Sequence, residues 1–194
     1  MPSRSWLIAL LLSWTTVGAL AAEVEGVKLD DHVKLGAGGA ELALNGAGLR
    51  TRFVFDVYVA GLYLAEKKTS TAEVLALPGA KRIWLRLMRD ISAQQLLDAL
   101  NEGMRANVPP AELAAIAAQT AELAATMAAI GQGKKGDSIA LDYLPGTGTR
   151  VVLNGRELGR AMSGEEFYRA LLRVWLGDKP VQESLKRALL GAAQ

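Results

Sequence analysis

The stretch GLRTRFVFDVYVAGLYLAEK, residues 48–67, decides the fold, because its composition predicts one long β-strand over residues 49–64. Side chains on a strand alternate between two faces. One predicted face is apolar and is expected in the core; it carries Phe53, Phe55, Val57 and Val59. The opposite face mixes polar and apolar side chains; it carries Arg50, Arg52, Val54, Asp56, Tyr58 and Ala60. This second face suits either solvent or the wall of a pocket that holds a ligand with a polar head.

The N-terminal residues have the pattern of a secretory signal peptide. Arg4 precedes an apolar run that begins at Trp6, and small residues flank Leu20. This pattern predicts a signal peptide over residues 1–21, cleavage after Ala21 and an exported, periplasmic protein without stable membrane insertion. The alternative is an uncleaved anchor. It is less favoured because the run is shorter than the ~20 residues of a membrane span and contains hydroxyl side chains.

Residues 22–194 are expected to form a single domain, because they are long enough to bury a core and contain no Pro/Ser-rich linker. The sequence has no cysteine. Disulfides and a lipid anchor through cysteine are therefore excluded, and an exported domain must be stabilised by its core. The oligomeric state stays open.

Charge and histidine content argue against several classes of partner. The chain has 22 basic and 20 acidic side chains, scattered singly or in pairs, without the basic stripe that nucleic-acid binding requires. His32 is the single histidine, so no second histidine or cysteine completes a metal site with it, and a surface position is favoured. Neither a metal nor a cofactor is expected.

Strand patterns flank a helical middle. ELALNGAGLRTRF predicts a strand and a turn at Asn45-Gly46 before the long strand, and KRIWLRLMRDI alternates as a further strand. Ser92 and Gln95 form a capping-box pattern for a helix that ends before Pro109. Pro109-Pro110 then opens a second helix that runs to Gly131. Its core stripe is Leu113, Ile116, Thr120, Leu123, Met127 and Ile130, and alanines occupy the positions between.

In the last third of the chain, strand patterns are again followed by helix patterns. DSIALDYLP and TRVVLNGRELG predict short strands, with LPGTG as a turn between them and a second turn at Asn154-Gly155. Ser163 and Glu166 match a capping box for the next helix, whose end is predicted at a left-handed Gly177. A final helix ends at Gly191. Such blocks predict an α+β fold in which helices cover one face of an antiparallel sheet.

These segments together resemble the chalcone isomerase-like family, in its exported bacterial branch, over most of residues 22–194. The resemblance rests on NGAGLRTRF, VYVAGLYL, RDISAQQLLDALNEGM, VVLNGRELG and the closing EEFYRALLRVWLGDKPVQESLKRALLG. It implies an open-faced sandwich of sheet and helices, with a cleft that takes a flavonoid in the plant isomerases or a fatty acid in the plant binding members. Fold alone does not choose between these functions.

The resemblance also implies site residues. The cleft arginine of the family is matched by Arg50, with Arg52 on the same predicted face as the second candidate, and the tyrosine of the fatty-acid binders is matched by Tyr58. The catalytic tyrosine of the isomerases falls at Leu96, and the asparagine falls near Asn101 or Gly103. One straight strand would place Arg50 and Tyr58 about 26 Å apart at ~3.3 Å per residue, so a turn or bulge is needed for both to meet one ligand head.

The favoured hypothesis is a non-catalytic, exported binder of an apolar carboxylate, such as a fatty acid. Arg50 would hold the head, and the alanines of the second helix would leave room for the tail. One alternative is an isomerase, an intramolecular lyase, for which Leu96 supplies no phenol. Another is a structural or interaction protein of the cell envelope, which a cleft filled with side chains would favour. Trp175 is expected to pack the final helix on the sheet, with the cleft wall as its alternative position.

Overall fold

The computed structural model describes residues 22–36 and 38–192; the predicted signal peptide, residues 1–21, lies outside them. The strands are β1 (Ala22–Val24), β2 (Val27–Leu29), β3 (His32–Lys34), β4 (Glu41–Arg52), β5 (Phe55–Leu64), β6 (Lys81–Leu87), β7 (Ile91–Ser92), β8 (Gln132–Gly133), β9 (Ser138–Leu144), β10 (Gly148–Leu153) and β11 (Arg156–Met162). The helices are α1 (Thr71–Ala76), α2 (Ala93–Asn107), α3 (Pro110–Ala115), α4 (Ala117–Ile130), α5 (Glu165–Leu176) and α6 (Glu183–Leu189). Across the described ranges, no helix is both long enough and apolar enough to span a membrane.

Seven strands form one antiparallel sheet in the order β11-β10-β9-β6-β5-β4-β3. The main core lies between one face of this sheet and the helices, where α2 and α5 pack against each other. A smaller core lies on the other face, where the β1–β2 hairpin covers residues of β4 and β5. The predicted α+β class, with helices over one face of an antiparallel sheet, is confirmed.

The segment predicted as one strand forms two strands joined by a tight turn. β4 ends at Arg52 and β5 begins at Phe55, which pair with each other, and Phe53 lies in the turn with a φ of 57°. The predicted core face is wrong at this tip, where Phe53 is 90% exposed and Phe55 is 55% exposed. Alternation of apolar residues could not reveal the turn, because tight hairpins usually place glycine or asparagine at positive φ, and here the residue is phenylalanine.

Beyond the tip, β5 is buried on both faces. Tyr58, Ala60, Leu62 and Leu64 face the main core, whereas Val59 and Tyr63 face the smaller core. This is why the segment is apolar at successive positions instead of alternating with polar residues.

The turn predicted at Asn45-Gly46 is also wrong, because both residues lie within β4 at a register shift. The Asn45 side chain is buried, donates to the Leu189 carbonyl at 2.7 Å and accepts from Lys68 N at 2.7 Å. A Cβ on Gly46 would lie 2.1 Å from the Ala188 carbonyl oxygen. Asparagine and glycine therefore serve the close approach of α6 to the sheet.

The helix predictions are confirmed in part. At the start of α2, Gln95 N donates to Ser92 Oγ at 3.1 Å and Ser92 N donates to Gln95 Oε1 at 3.0 Å, which is the predicted capping box. The second predicted helix is divided into α3 and α4, because Ile116 leaves helical geometry with φ −105° and ψ 13°. Its stripe still faces the core, where Ile116, Leu123 and Met127 are buried.

Two predicted caps of α5 are wrong. The N-cap is Gly164, at a φ of 92° and without a side-chain hydrogen bond, so Ser163 and Glu166 form no capping box. Gly177 is extended, with φ −68° and ψ −174°. It is glycine for another reason, since a Cβ would lie 2.3 Å from Asn107 Oδ1, which accepts from Lys179 N. The predicted turn at Asn154-Gly155 is confirmed, with both residues at positive φ.

Candidate ligand-binding site

A cavity of about 530 Å³ lies between the helices and the sheet, and it opens beside the β4–β5 turn. This volume is within the range of small-molecule pockets, so the cleft is not filled by side chains. Its inner wall is mainly apolar; the buried lining residues are Val57, Tyr58, Leu85, Leu96, Leu100, Met127, Ile139, Leu141, Val174 and Trp175. The exposed lining residues, which form the mouth, are Arg52, Phe53, Phe55, Arg89, Asp90, Gln95, Asp98 and Glu102.

The β4–β5 turn brings Arg50 and Tyr58 together on this wall. They are directly opposite each other in the antiparallel pairing, and the guanidinium carbon of Arg50 lies 5.9 Å from the centre of the Tyr58 ring. The separation expected for a straight strand does not exist, because the chain reverses between the two residues. One ligand head can therefore contact both side chains.

Arg50 is half-buried, and its Nη1 atom is buried without a hydrogen-bond partner among the described residues. A buried cationic nitrogen without a partner is costly, because neither water nor protein replaces its lost hydration. An anion placed beside Nη1 would remove that cost through a charge-assisted hydrogen bond.

Tyr58 is held in place by Trp175, whose Nε1–H donates to the phenolic oxygen at 2.8 Å. Burial raises the pKa of Tyr58, and the charge of Arg50, the hydrogen bond from Trp175 and the close approach of the Arg50 guanidinium to the phenol only partly oppose this shift. The phenol is therefore neutral near pH 7. Because its oxygen accepts from Trp175, its own hydrogen is available to donate to a ligand.

Trp175 packs α5, the helix before the final one, onto the sheet, where its side chain is 1% exposed, and it also lines the cavity, which was its alternative position. Its second role, the hydrogen bond that orients Tyr58, leaves no signature in the sequence. A tryptophan on the apolar face of a helix looks the same in sequence whether its indole nitrogen meets a buried phenol or the helix edge.

Arg52 lies elsewhere at the cavity mouth. Its side chain is exposed, and its guanidinium lies 5.9 Å from the Phe53 ring centre. The structure thus brings Arg50 and Tyr58 together inside the cavity and places Arg52 at the rim.

The positions matched to the isomerase residues carry no phenol and no inward amide. Leu96 on α2 is buried and lines the cavity. Gly103 allows close packing on α5, where a Cβ would lie 2.7 Å from Val174 Cγ1. Asn101 is half-buried and does not line the cavity.

The expectation that alanines of the second helix make room for the tail is wrong. Most of them are exposed on the outer side of that helix, and the residue that α4 contributes to the cavity wall is Met127. The physical reason is that the bulky stripe, not the alanines between, faces the core. The tail space is instead lined by α2, α5 and the central strands.

His32 is exposed and lies 3.7 Å from Glu41. A group of three side chains able to hold a metal ion does not occur within residues 22–36 and 38–192.

A tyrosine titration is expected to report the buried phenols. All four tyrosines lie in the described part of the chain, and burial raises the pKa of each: Tyr58, Tyr63, Tyr143 and Tyr168. Because the folded pKa values exceed the unfolded value of about 10, the folded state holds these protons more tightly. The contribution of the tyrosines to stability should be constant below about pH 10 and be lost as the pH rises above it. Tyrosinate absorbance of the folded protein should lag behind that of the urea-unfolded chain; coincident curves would contradict the burial.

This chain is similar in fold and in sequence pattern to known proteins. The fold is similar to the crystal structure of a fatty-acid binding protein from Arabidopsis thaliana, with a TM-score of 0.63 and 16% sequence identity over 85% of this chain and 92% of that chain. A comparison with curated protein sequences gave no match. The family model described as chalcone isomerase-like matches residues 21–191. This chain therefore belongs to the chalcone isomerase-like family.

Proposed function

We propose that this protein is an exported, non-catalytic binder of an apolar carboxylate, such as a fatty acid, with the carboxylate at Arg50 and the alkyl tail inside the cavity. The observation that carries the proposal is the buried, unpartnered Nη1 of Arg50 beside an otherwise mainly apolar space. A carboxylate is the common biological anion that joins a compact negative head to a long apolar chain. Its oxygens match the hydrogen-bonding geometry of a guanidinium.

The head group has two donors within reach. Nη1 of Arg50 supplies charge, and the neutral phenol of Tyr58, held by Trp175, supplies a further hydrogen bond. The aliphatic tail would contact Leu96, Leu100 and Val174, so its burial would be favourable by about 0.8 kcal/mol per methylene. The fatty-acid binding protein of Arabidopsis thaliana, which shares the fold, makes this ligand class a natural first choice.

No catalytic residue is assigned. Intramolecular conjugate addition, the reaction of the flavonoid isomerases, needs hydrogen-bond donors directed at a developing enolate. Leu96 supplies no such donor. Burial keeps Tyr58 protonated, so it is suited to donate a hydrogen bond and not to act as a base near pH 7.

Export is part of the proposal and rests on the signal-peptide pattern of residues 1–21. N-terminal sequencing of the protein from the periplasmic fraction should begin at Ala22. The intact chain in the membrane fraction would show that the apolar run is an anchor.

The binding proposal is tested by matched ligands. The protein should bind a long-chain saturated fatty acid about 10- to 100-fold more tightly than the alcohol of equal chain length, because the alcohol lacks the charge that pairs with Arg50. Competitive displacement of a fluorescent fatty-acid probe measures both affinities at a pH above the carboxyl pKa. Equal affinities would show that the cavity recognises only the tail, and absence of binding would overturn the proposal.

A further inference from the structure

The β4–β5 turn is an exposed apolar tip at the cavity mouth. Among the described residues, the large apolar side chains that are exposed are Phe53 at 90%, Val54 at 87% and Phe55 at 55%. They are consecutive, whereas scattered exposed apolar residues are ordinary on a protein surface. Exposing two aromatic rings and a valine at one turn is unfavourable in water, so the tip is suited to an apolar environment.

Two arginines accompany the apolar tip. The guanidinium of Arg89 lies 4.8 Å from the Phe55 ring centre, and that of Arg52 lies 5.9 Å from the Phe53 ring centre. Aromatic rings with adjacent cations are the composition found where a protein meets the headgroup region of a bilayer. Asp56 follows the tip in the chain, and Asp90 follows Arg89 at the mouth. Asp90 is paired with Lys134 at 3.4 Å and accepts from Lys135 N, so the two arginines outnumber the remaining carboxylate, Asp56.

The size of the tip also favours a lipid surface. A stable protein interface buries about 800 Å² on each partner and involves about 20 residues or more. A three-residue turn falls well short of that, but it can insert into the interfacial region of a bilayer without any matching shape. Acidic side chains on the α2 side of the mouth, Asp98 and Glu102, also confine the apolar contact to the hairpin side.

We propose that the tip formed by Phe53, Val54 and Phe55 docks this protein on the surface of an anionic lipid bilayer. Phe53 and Phe55 line the mouth, so docking places the cavity opening against the lipid. This inference rests on the proposed function in one respect: a fatty acid could then pass between bilayer and cavity without crossing water.

The test uses the valine, because Val54 is exposed and does not line the cavity. Val54→Asp puts a carboxylate at the tip and should weaken partitioning onto vesicles of phosphatidylglycerol and phosphatidylethanolamine by about tenfold or more. Fatty-acid affinity measured without vesicles should not change. Ala118→Asp is the matched control: it adds the same charge at an exposed position in the first turn of α4, where an acid is tolerated, and it should bind vesicles as the unchanged protein does.

A second variant tests the cationic component. Arg52→Gln should weaken binding to the anionic vesicles by roughly fivefold and have little effect on vesicles of phosphatidylcholine. An equal loss on both kinds of vesicle would overturn the anionic preference.

The outcomes separate this inference from the proposed function. Fatty-acid binding without vesicle binding by the unchanged protein would overturn the docking inference alone. Vesicle binding that depends on Val54, without fatty-acid binding, would support docking and overturn the proposed function. If Val54→Asp instead dissociates a dimer in sedimentation, and vesicles are not bound, the tip is a contact between copies of this chain and the inference is wrong.

Discussion

Replacing Arg50 by alanine is expected to weaken binding of a long-chain fatty acid by about 10- to 100-fold, because a charge-assisted hydrogen bond contributes on the order of 1.5–3 kcal/mol. Affinity for the alcohol of equal chain length should change little, since the tail remains buried. Titration calorimetry with both ligands measures the difference. The variant should fold normally, because it removes a half-buried cation whose Nη1 atom has no partner to lose.

Arg52→Ala is the matched control for this result. Arg52 lies two residues away with its side chain exposed at the mouth, so its loss should reduce fatty-acid affinity by no more than a few fold. If the large effect belongs to Arg52, the head lies at the rim and not beside Tyr58. If neither variant differs from the unchanged protein, the arginines do not hold the head.

Replacing Trp175 by alanine is expected to lower the free energy of unfolding by about 3–5 kcal/mol. The indole is 1% exposed in the main core, and its removal leaves a cavity beside α5. It also leaves the buried phenolic oxygen of Tyr58 without the donor at 2.8 Å. Urea denaturation followed by circular dichroism measures the loss.

Trp84→Ala provides the comparison. Trp84 lies on β6 and packs at the edge of the smaller core, where it is half-buried beneath Arg86. Its loss should cost less than half as much as that of Trp175. Equal costs for the two variants would contradict the assignment of Trp175 to the centre of the main core.

The fold class followed from the sequence because helices and strands carry different apolar periods. The α2 capping box at Ser92 and the turn at Asn154-Gly155 were predictable, since local hydrogen bonds and positive φ select those residue types. Predictions based on glycine and asparagine were wrong where these residues serve close packing instead of a turn or a cap. Gly46 and Gly177 accommodate neighbouring elements, and Asn45 bonds to α6. Such contacts join residues far apart in the chain, which no local pattern records.

In the candidate site, too, some features could be predicted from the sequence and others depend on contacts between distant parts of the chain. The resemblance picked out Arg50 and Tyr58, but the sequence pattern placed them on one straight strand, because nothing at Phe53 signals a turn. The hairpin makes them neighbours and exposes the aromatic residues that were expected in the core. The indole of Trp175 enters the site only through the packing of α5 against β5, so its role required the structure.

The central claim is that a carboxylate binds beside the buried nitrogen of Arg50. A crystal structure of the protein with a bound long-chain fatty acid tests it most directly. We expect a carboxylate oxygen about 2.7–2.9 Å from Arg50 Nη1, with the alkyl chain running past Leu96 toward Val174. A fatty acid bound in the opposite direction, with its carboxylate in solvent near Arg52 and its methyl end beside Arg50, would contradict the account.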